Sequence, residues 1–366
     1  MLFDPRPKEF RSELFDRERE LGELESYVKS GSPLILCLGV RRIGKTSLLK
    51  VFLNEHGYPH VYINARKLSE YGYSVSGLYR LFSEALSNTK LLSKLAGYLK
   101  TLRGVRVEVF GASLGVELDW RRREPSISSV LEKLNSYAED RNTYFLIVID
   151  EAQELRFLKG YNKLDFRQVI AYSYDNLRNV KFILSGSEVG LLYEFLDIDN
   201  YASPLYGRAR DEVVLSRFSR EDSAKFLEMG FSEAGLQAPK EAIEEAVEAL
   251  NGIPGWLALY GYRAVQSKRF DVVKEVLEEA VKMALGELEK IVQSGKLYRH
   301  ILRAVAMGCR SWSEIKRCIE AWTGVSIPSK TLYHSLARLQ ALSILTKDDN
   351  EYSFTDPMYR EAAKRL

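Results

Sequence analysis

The sequence predicts an α/β fold in which a parallel sheet is flanked by helices. An all-helical segment follows, and a small helical unit with a two-stranded hairpin closes the chain. Three observations carry that prediction. The runs Pro33-Leu34-Ile35-Leu36-Cys37-Leu38 and Tyr144-Phe145-Leu146-Ile147-Val148-Ile149 are apolar without alternation, the form of strands buried on both faces. Amphipathic helical stretches separate them, as in βαβ units. From Ser216 the pattern turns helical, and strand-like runs return only at Ile344.

At 366 residues the chain is long enough for two or three domains, and 46% hydrophobic with 28% charged residues is the composition of a soluble globular protein. The net charge of +3 selects no class of partner. No signal peptide opens the sequence, and no apolar run approaches the roughly 20 residues that cross a bilayer. A cytoplasmic protein without a membrane-spanning segment is expected. Cys37, Cys309 and Cys318 lack metal-ligand spacing and read as small core or incidental thiols in a reducing compartment.

Taken in order, Met1 to Glu13 is polar and proline-containing and reads as an arm lying on the surface. Asp16 is the expected N-cap of a helix that buries Leu21, Leu24 and Val28. After the first strand, Gly39-Val40-Arg41-Arg42-Ile43-Gly44-Lys45-Thr46 fits G-x-x-x-x-G-K-[ST] at every fixed position. Such a loop turns backbone N–H groups toward one point, and the following helix adds its dipole, so the site suits a phosphate chain. Gly39 and Gly44 permit the tight backbone, and Lys45 reaches the β/γ-phosphates. Thr46 is the expected Mg²⁺ ligand, and Ser47 is placed to touch the α-phosphate.

His60-Val61-Tyr62-Ile63-Asn64 is a second strand, and a helical region runs from about Gly77 to Lys100. Two alternating runs around Phe110-Gly111-Ala112-Ser113 form a hairpin, at about residues 103–120, and Arg121-Arg122-Arg123 at its exit is a possible anion contact or a solvated loop. The run ending in Asp150-Glu151 is a central strand with its carboxyl end at a ligand crevice. Asp150 is assigned to the Mg²⁺ shell and Glu151 to the attacking water. Near Leu164 to Arg178 lies another helix, and Ser187, at the end of the strand after it, is a candidate to bond a water or the γ-phosphate, or equally to cap the next helix. Arg208, in the loop before the strand Glu212 to Leu215, is a candidate γ-phosphate contact, with a salt bridge as the competing role.

Beyond Ser216, Ser219 with Asp222 opens a helix, a second helix runs from Pro239 to Leu250, and Asn251-Gly252-Ile253-Pro254 ends it and restarts the chain. The division expected is a core over 1–215, a helical lid over 216–295 and a winged helix-turn-helix over 296–366. In its third helix Leu332, Leu336 and Leu339 face inward, leaving Lys330, Tyr333, His334 and Arg338 outward. The tail carries 12 Lys and Arg against 7 Asp and Glu, a net of +5. DNA and a protein partner are both open as its target, since three acids in the wing turn oppose phosphate.

These pieces together resemble an archaeal-type ATPase of the AAA+/STAND group of P-loop NTPases. The resemblance rests on Phe15-Asp16-Arg17-Glu18-Arg19-Glu20-Leu21, the double arginine Arg41-Arg42 inside the P-loop, Asp150-Glu151-Ala152-Gln153, Pro204-Leu205-Tyr206-Gly207-Arg208 and Gly252-Ile253-Pro254. It implies ATP/ADP and Mg²⁺ as ligands, with Arg17 and Pro254 near the adenine and Arg41 and Arg42 in the phosphate loop. It also implies that the P-loop strand lies beside the Asp150 strand. The function expected is a nucleotide-dependent ATPase switch, with oligomerisation possible. A small-molecule kinase using the same P-loop, or an ATP-dependent DNA-binding regulator, is the alternative.

Overall fold

A computed structural model describes residues 1–110, 113–119, 125–158 and 165–366, so the Arg121-Arg122-Arg123 run lies outside the described residues. Helix α1 (Glu18–Lys29) leads to strand β1 (Leu34–Leu38), helix α2 (Lys45–His56) and strand β2 (His60–Asn64). Helices α3 (Leu68–Tyr71), α4 (Val75–Ser87) and α5 (Leu92–Leu99) precede the hairpin of β3 (Val105–Phe110) and β4 (Ser113–Leu118). Helix α6 (Ile127–Glu139), β5 (Phe145–Asp150), α7 (Phe166–Asn176), β6 (Val180–Gly186), α8 (Val189–Leu196) and β7 (Asp211–Val214) follow.

The sheet runs β2-β5-β6-β1-β7 with every pair parallel. Every residue of β1, β5 and β6 is buried, because helices cover both faces. On one face Leu24 and Val28 of α1 and Leu48 and Phe52 of α2 pack with Ile35, Cys37, Val148 and Ile183. On the other, Leu78, Leu131 and Ile170 pack with Leu36, Ile147 and Phe182. The implied adjacency of the P-loop strand and the Asp150 strand is corrected here: β6 lies between β1 and β5, pairing Leu36 with Leu184 and Ile147 with Phe182. All three strands still end at the same edge, because parallel strands carry their carboxyl ends together.

Helices α9 (Arg220–Glu233), α10 (Lys240–Leu250), α11 (Pro254–Ser267) and α12 (Val273–Gln293) come next. The tail holds α13 (Lys296–Ala306), α14 (Trp312–Thr323), α15 (Ser329–Ala341), the hairpin β8 (Leu345–Asp348) with β9 (Glu351–Phe354), and α16 (Pro357–Ala363). Asp349 and Asn350 both take positive φ (48° and 67°), as a two-residue hairpin turn requires. The tail is a winged helix, and one apolar cluster joins it to the preceding helices through residues such as Val276 and Leu288 of α12 and Met358 and Ala362 of α16. Sequence reading passed over α16, although Asp356 caps it by accepting from the Met358 N–H at 2.8 Å and Pro357 fills its first position.

Three further expectations are corrected. The opening arm is not simply a surface segment: Leu2 and Phe3 are buried among α9 and α11. Asp16 does not cap α1; it and Arg17 both have positive φ, and Arg17 occupies the cap position without a side-chain cap bond. Cys309 and Cys318 are joined as a disulfide across the α13–α14 connection rather than standing as separate thiols. Cys37 is the small core residue expected, with burial pushing its thiol up to about 12.

Candidate active site

The loop between β1 and α2 needs glycine at two places. Gly39 has φ +149°, and a Cβ there would stand 2.9 Å from Ile43 Cγ2 and 3.0 Å from the Leu215 carbonyl oxygen. Gly44 sits at the N-cap of α2 with φ +103° and offers no side-chain cap, so the first N–H groups of α2 remain available to an anion. Lys45 is 6% exposed and donates to the carbonyls of Gly39 (2.6 Å) and Val40 (2.9 Å). Burial lowers the pKa of its ammonium.

The two loop arginines reach outward. Arg42 takes φ +65°, unusual for a residue other than glycine, and three contacts from the lid hold it there. The Gly255 N–H donates to its carbonyl at 3.0 Å, its guanidinium lies 3.9 Å from the centre of the Trp256 ring, and Nη2 meets Met283 Sδ at 3.2 Å. A Cβ on Gly255 would come within 2.7 Å of Arg42 Cβ, so glycine is what lets the two backbones meet. Arg41 pairs through Nη2 with Glu188 (2.8 Å), just before α8, and through Nη1 with Glu287 (2.9 Å) on α12. Tyr359 of α16 donates to the other oxygen of Glu287.

At the end of β5 the two acids have separate surroundings. Asp150 accepts from Thr46 Oγ1 (2.8 Å), from the Tyr62 hydroxyl (2.7 Å) and from Ser185 Oγ, all neutral donors. An aspartate beside a threonine hydroxyl is an oxygen donor set for a hard cation such as Mg²⁺. Glu151, with φ +55°, accepts from Gln153 Nε2 (2.6 Å), Ser187 Oγ (2.7 Å), the Ser187 N–H (3.2 Å) and the Arg66 guanidinium. Burial alone would raise its pKa; Arg66, Gln153, Ser187 and Lys45 outweigh that and hold the carboxyl below the ordinary glutamate value.

A cleft of about 770 Å³ opens over these groups. Its walls include Arg17, Arg41, Arg42, Gly44, Lys45, Thr46, Ser47, Glu151, Ser187 and Pro254, which the fold thus brings together. Asp150 stands behind Thr46, and Gly39 supplies a carbonyl to Lys45. Arg17 is 3% exposed and is spent on the protein itself, donating to the carbonyls of Ser216 (2.8 Å) and Ile43 (3.3 Å) and pairing with Glu20 (3.2 Å). It lies 4.9 Å from the Phe218 ring centre, and so fastens α1, the P-loop and the chain leaving β7 to one another.

Arg208 does not line the cleft. Its guanidinium bonds the Pro204 carbonyl (2.6 Å) and the Asp175 carboxylate, beside Tyr174. Arg208→Ala is therefore expected to leave the ATP affinity of the isolated chain within about twofold of the wild type by titration calorimetry. A requirement for this arginine that shows only in mixed assemblies would place it in trans.

Sequence reading missed Tyr62, Arg66, Gln153, Ser185, Glu188 and Glu287. Gln153 and Ser185 stand within two residues of Glu151 and Ser187, and that proximity was a usable signal. Arg66 and Glu287 carried none, since only the tertiary fold brings them in.

A family model described as an ATPase domain predominantly from Archaea matches residues 14–259. Residues 293–355 match one described as the MCM protein C-terminal winged helix-turn-helix domain. Among solved structures, the Walker-type ATPase paby2304 of Pyrococcus abyssi is similar over 100% of both chains, at 37% identity and a TM-score of 0.86. The ORC2 protein of Aeropyrum pernix aligns with 100% of this chain and 96% of its own, at 15% identity and a TM-score of 0.57, a likeness of fold. No curated protein matches the chain.

Proposed function

Because the chain belongs to the family of ATPase domains found predominantly in Archaea, we propose that it hydrolyses ATP as a switch whose state is passed to the winged helix. The uncapped start of α2, the buried ammonium of Lys45 and a cleft within the size range of small-ligand sites fit a nucleoside triphosphate. Thr46 and Asp150 would hold Mg²⁺, which when bound neutralises phosphate charge. Glu151 would polarise the attacking water once drawn from Arg66, and Ser187 would orient it. Arg208, turned away in its own chain, would act only on a neighbouring copy.

One observation carries the switch. Arg41, inside the phosphate loop, is shared between Glu188 at the foot of α8 and Glu287 of α12, where Tyr359 of the tail also bonds. A phosphate chain that draws Arg41 inward weakens both pairs at once. The next residues of α8 hold the tail directly: the Val189 N–H donates to Ser343 Oγ at 3.0 Å, Arg338 pairs with Glu194 at 3.2 Å, and a Cβ on Gly190 would stand 2.4 Å from Ala341 Cα.

This arrangement favours a protein partner over a duplex. Lys330, Tyr333 and His334 of α15 are exposed, but Arg338 is tied to α8, and Asp348, Asp349 and Glu351 stand at the wing turn. The test is phosphate release from Mg-ATP by the whole protein, with labelled duplex titrated in ADP and in a non-hydrolysable ATP analogue. Release to water without transfer to added acceptors separates the switch from a small-molecule kinase. Salt-sensitive duplex binding in one nucleotide state would replace the protein partner with DNA.

Arg41→Ala is the corresponding variant. It is expected to raise amide hydrogen exchange in α8 and α15 by about tenfold in the nucleotide-free protein, since both ion pairs that fasten α8 and α12 to the loop are lost. Unchanged exchange in both helices would disconnect the P-loop from the tail.

A further inference from the structure

The first nine residues run from the lid to the phosphate-loop helix, and Leu2 and Asp4 to Lys8 line the cleft on the way. Their lid end is a built socket. Phe3 is fully buried, with its ring edge-on to Phe226 and Phe231 at 5.6 and 5.0 Å between centres. Gly230 of α9 and Gly261 of α11 make the room, since a Cβ on either would lie 2.2 or 2.4 Å from the ring. Glycine inside a helix is destabilising relative to alanine, so two of them facing one ring mark a place kept for it. Next to it, the Leu2 N–H donates to Glu233 Oε2 at 2.7 Å.

The other end is fixed to α2. The Lys8 N–H donates to Ser47 Oγ at 3.1 Å, Lys50 pairs with Glu9 at 2.8 Å, and Asn54 Nδ2 donates to the Glu9 carbonyl at 2.9 Å. Between the anchors, Asp4-Pro5-Arg6-Pro7 is stiff. Both prolines fix φ, and Arg6 holds Asp4 through its backbone N–H to Oδ1 (3.0 Å) and its guanidinium, Nε to Oδ1 (3.0 Å) and Oδ2 (3.1 Å) and Nη2 to Oδ2 (2.6 Å). The Lys8 ammonium adds bonds to the carbonyls of Met1 (2.8 Å) and Asp4 (2.7 Å).

We propose that Leu2 to Glu9 form a strap that retains the bound nucleotide, with Phe3 as its positioning residue. The inference rests on the nucleotide-binding reading above. A short, stiff segment tied to the lid at one end and to α2 at the other limits how far the two can separate, and a nucleotide held between them leaves only when they part. Ser47 makes the strap responsive to the phosphates, because the hydroxyl that tethers Lys8 stands in the first turn of α2, where the phosphate chain binds. The strap therefore acts on the rate of release and leaves the chemistry at Glu151 to other groups.

The test uses the whole protein loaded with N-methylanthraniloyl-ADP and chased with excess ADP in a stopped-flow instrument. Phe3→Ala is expected to speed dissociation by about tenfold or more, because truncating a buried phenylalanine strongly favours the released strap. The double variant Lys50→Ala/Asn54→Ala, which leaves the lid core untouched, is expected to speed it by about threefold, the scale of an exposed ion pair and one hydrogen bond. Val281→Ala, which opens a smaller cavity in the lid core, controls for lid packing. Wild-type dissociation in both strap variants would overturn the strap while leaving nucleotide binding standing. So would a Phe3→Ala effect matched by Val281→Ala with the double variant at the wild-type rate. Failure of the wild type to bind the labelled ADP at all would overturn the nucleotide reading and the strap with it.

Discussion

Lys45→Ala is expected to weaken ATP binding by about 10²- to 10³-fold, the range reached when one member of a buried charge pair is removed. The ammonium of Lys45 is enclosed by the loop and, among the described residues, hydrogen-bonds to the carbonyls of Gly39 and Val40, with the Glu151 and Asp150 carboxylates near enough to favour its charge. Burial outweighs the attraction of Glu151 and Asp150, so the charge is incompletely balanced, and the lowered pKa records that deficit. A phosphate anion supplies what the carbonyls lack. Alanine leaves the same amide cradle with nothing to balance the triphosphate, and the loss therefore falls on binding itself. Titration calorimetry measures it, with circular dichroism to check that the variant folds; an affinity within a few-fold of wild type would remove Lys45 from the phosphate site. The sign of the pH dependence follows as well. Because the proton leaves Lys45 below the ordinary lysine value, ATP affinity should decline on the alkaline side earlier than for an exposed lysine.

The parts of this site that could be read in the sequence are those built from neighbouring residues. Gly39, Gly44, Lys45 and Thr46 are constrained together by one turn, and Asp150-Glu151 follows a strand whose burial is written in six consecutive apolar residues. The third tail helix was legible for the same reason, as Leu332, Leu336 and Leu339 repeat at helical spacing and are all buried.

What stayed hidden is set by the way distant segments meet. Arg66 reaches Glu151 across 85 residues and Arg41 reaches Glu287 on a helix of the lid, and neither pairing has a local pattern. Sheet order depends on how each crossover passes, so strands can be recognised while β6 goes unplaced between β1 and β5. Phe3 is one of two aromatics in a polar arm, buried where Phe10 is exposed, and no periodicity marks it out. Its trace is in the partners, the glycines at 230 and 261 inside two continuous helices. The disulfide likewise has a spacing of nine residues that many unpaired cysteines share.

Glu151→Gln is expected to leave ATP binding nearly unchanged and to slow phosphate release by about 10²-fold or more, the scale of losing a positioned general base. The substitution keeps the shape of the side chain and removes its charge. Ser187 and Gln153 can still donate to the amide oxygen, while Arg66 loses its ionic partner, so the pocket is preserved and the group that would draw a proton from water is not. In the present arrangement Arg66, Gln153 and Ser187 all occupy this carboxylate, which therefore has to leave at least one of them before it can receive a water. The same contacts determine the acid limb of the rate profile. A carboxyl held below its ordinary pKa stays ionised to lower pH, so hydrolysis should hold steady through the usual glutamate range on acidification and fall only below it. In Glu151→Gln that limb should vanish. Single-turnover release of phosphate from Mg-ATP, followed over pH for both proteins, gives both quantities. A native rate in the glutamine variant, or an acid limb of equal position and depth in the two, would take the water-activating role away from Glu151.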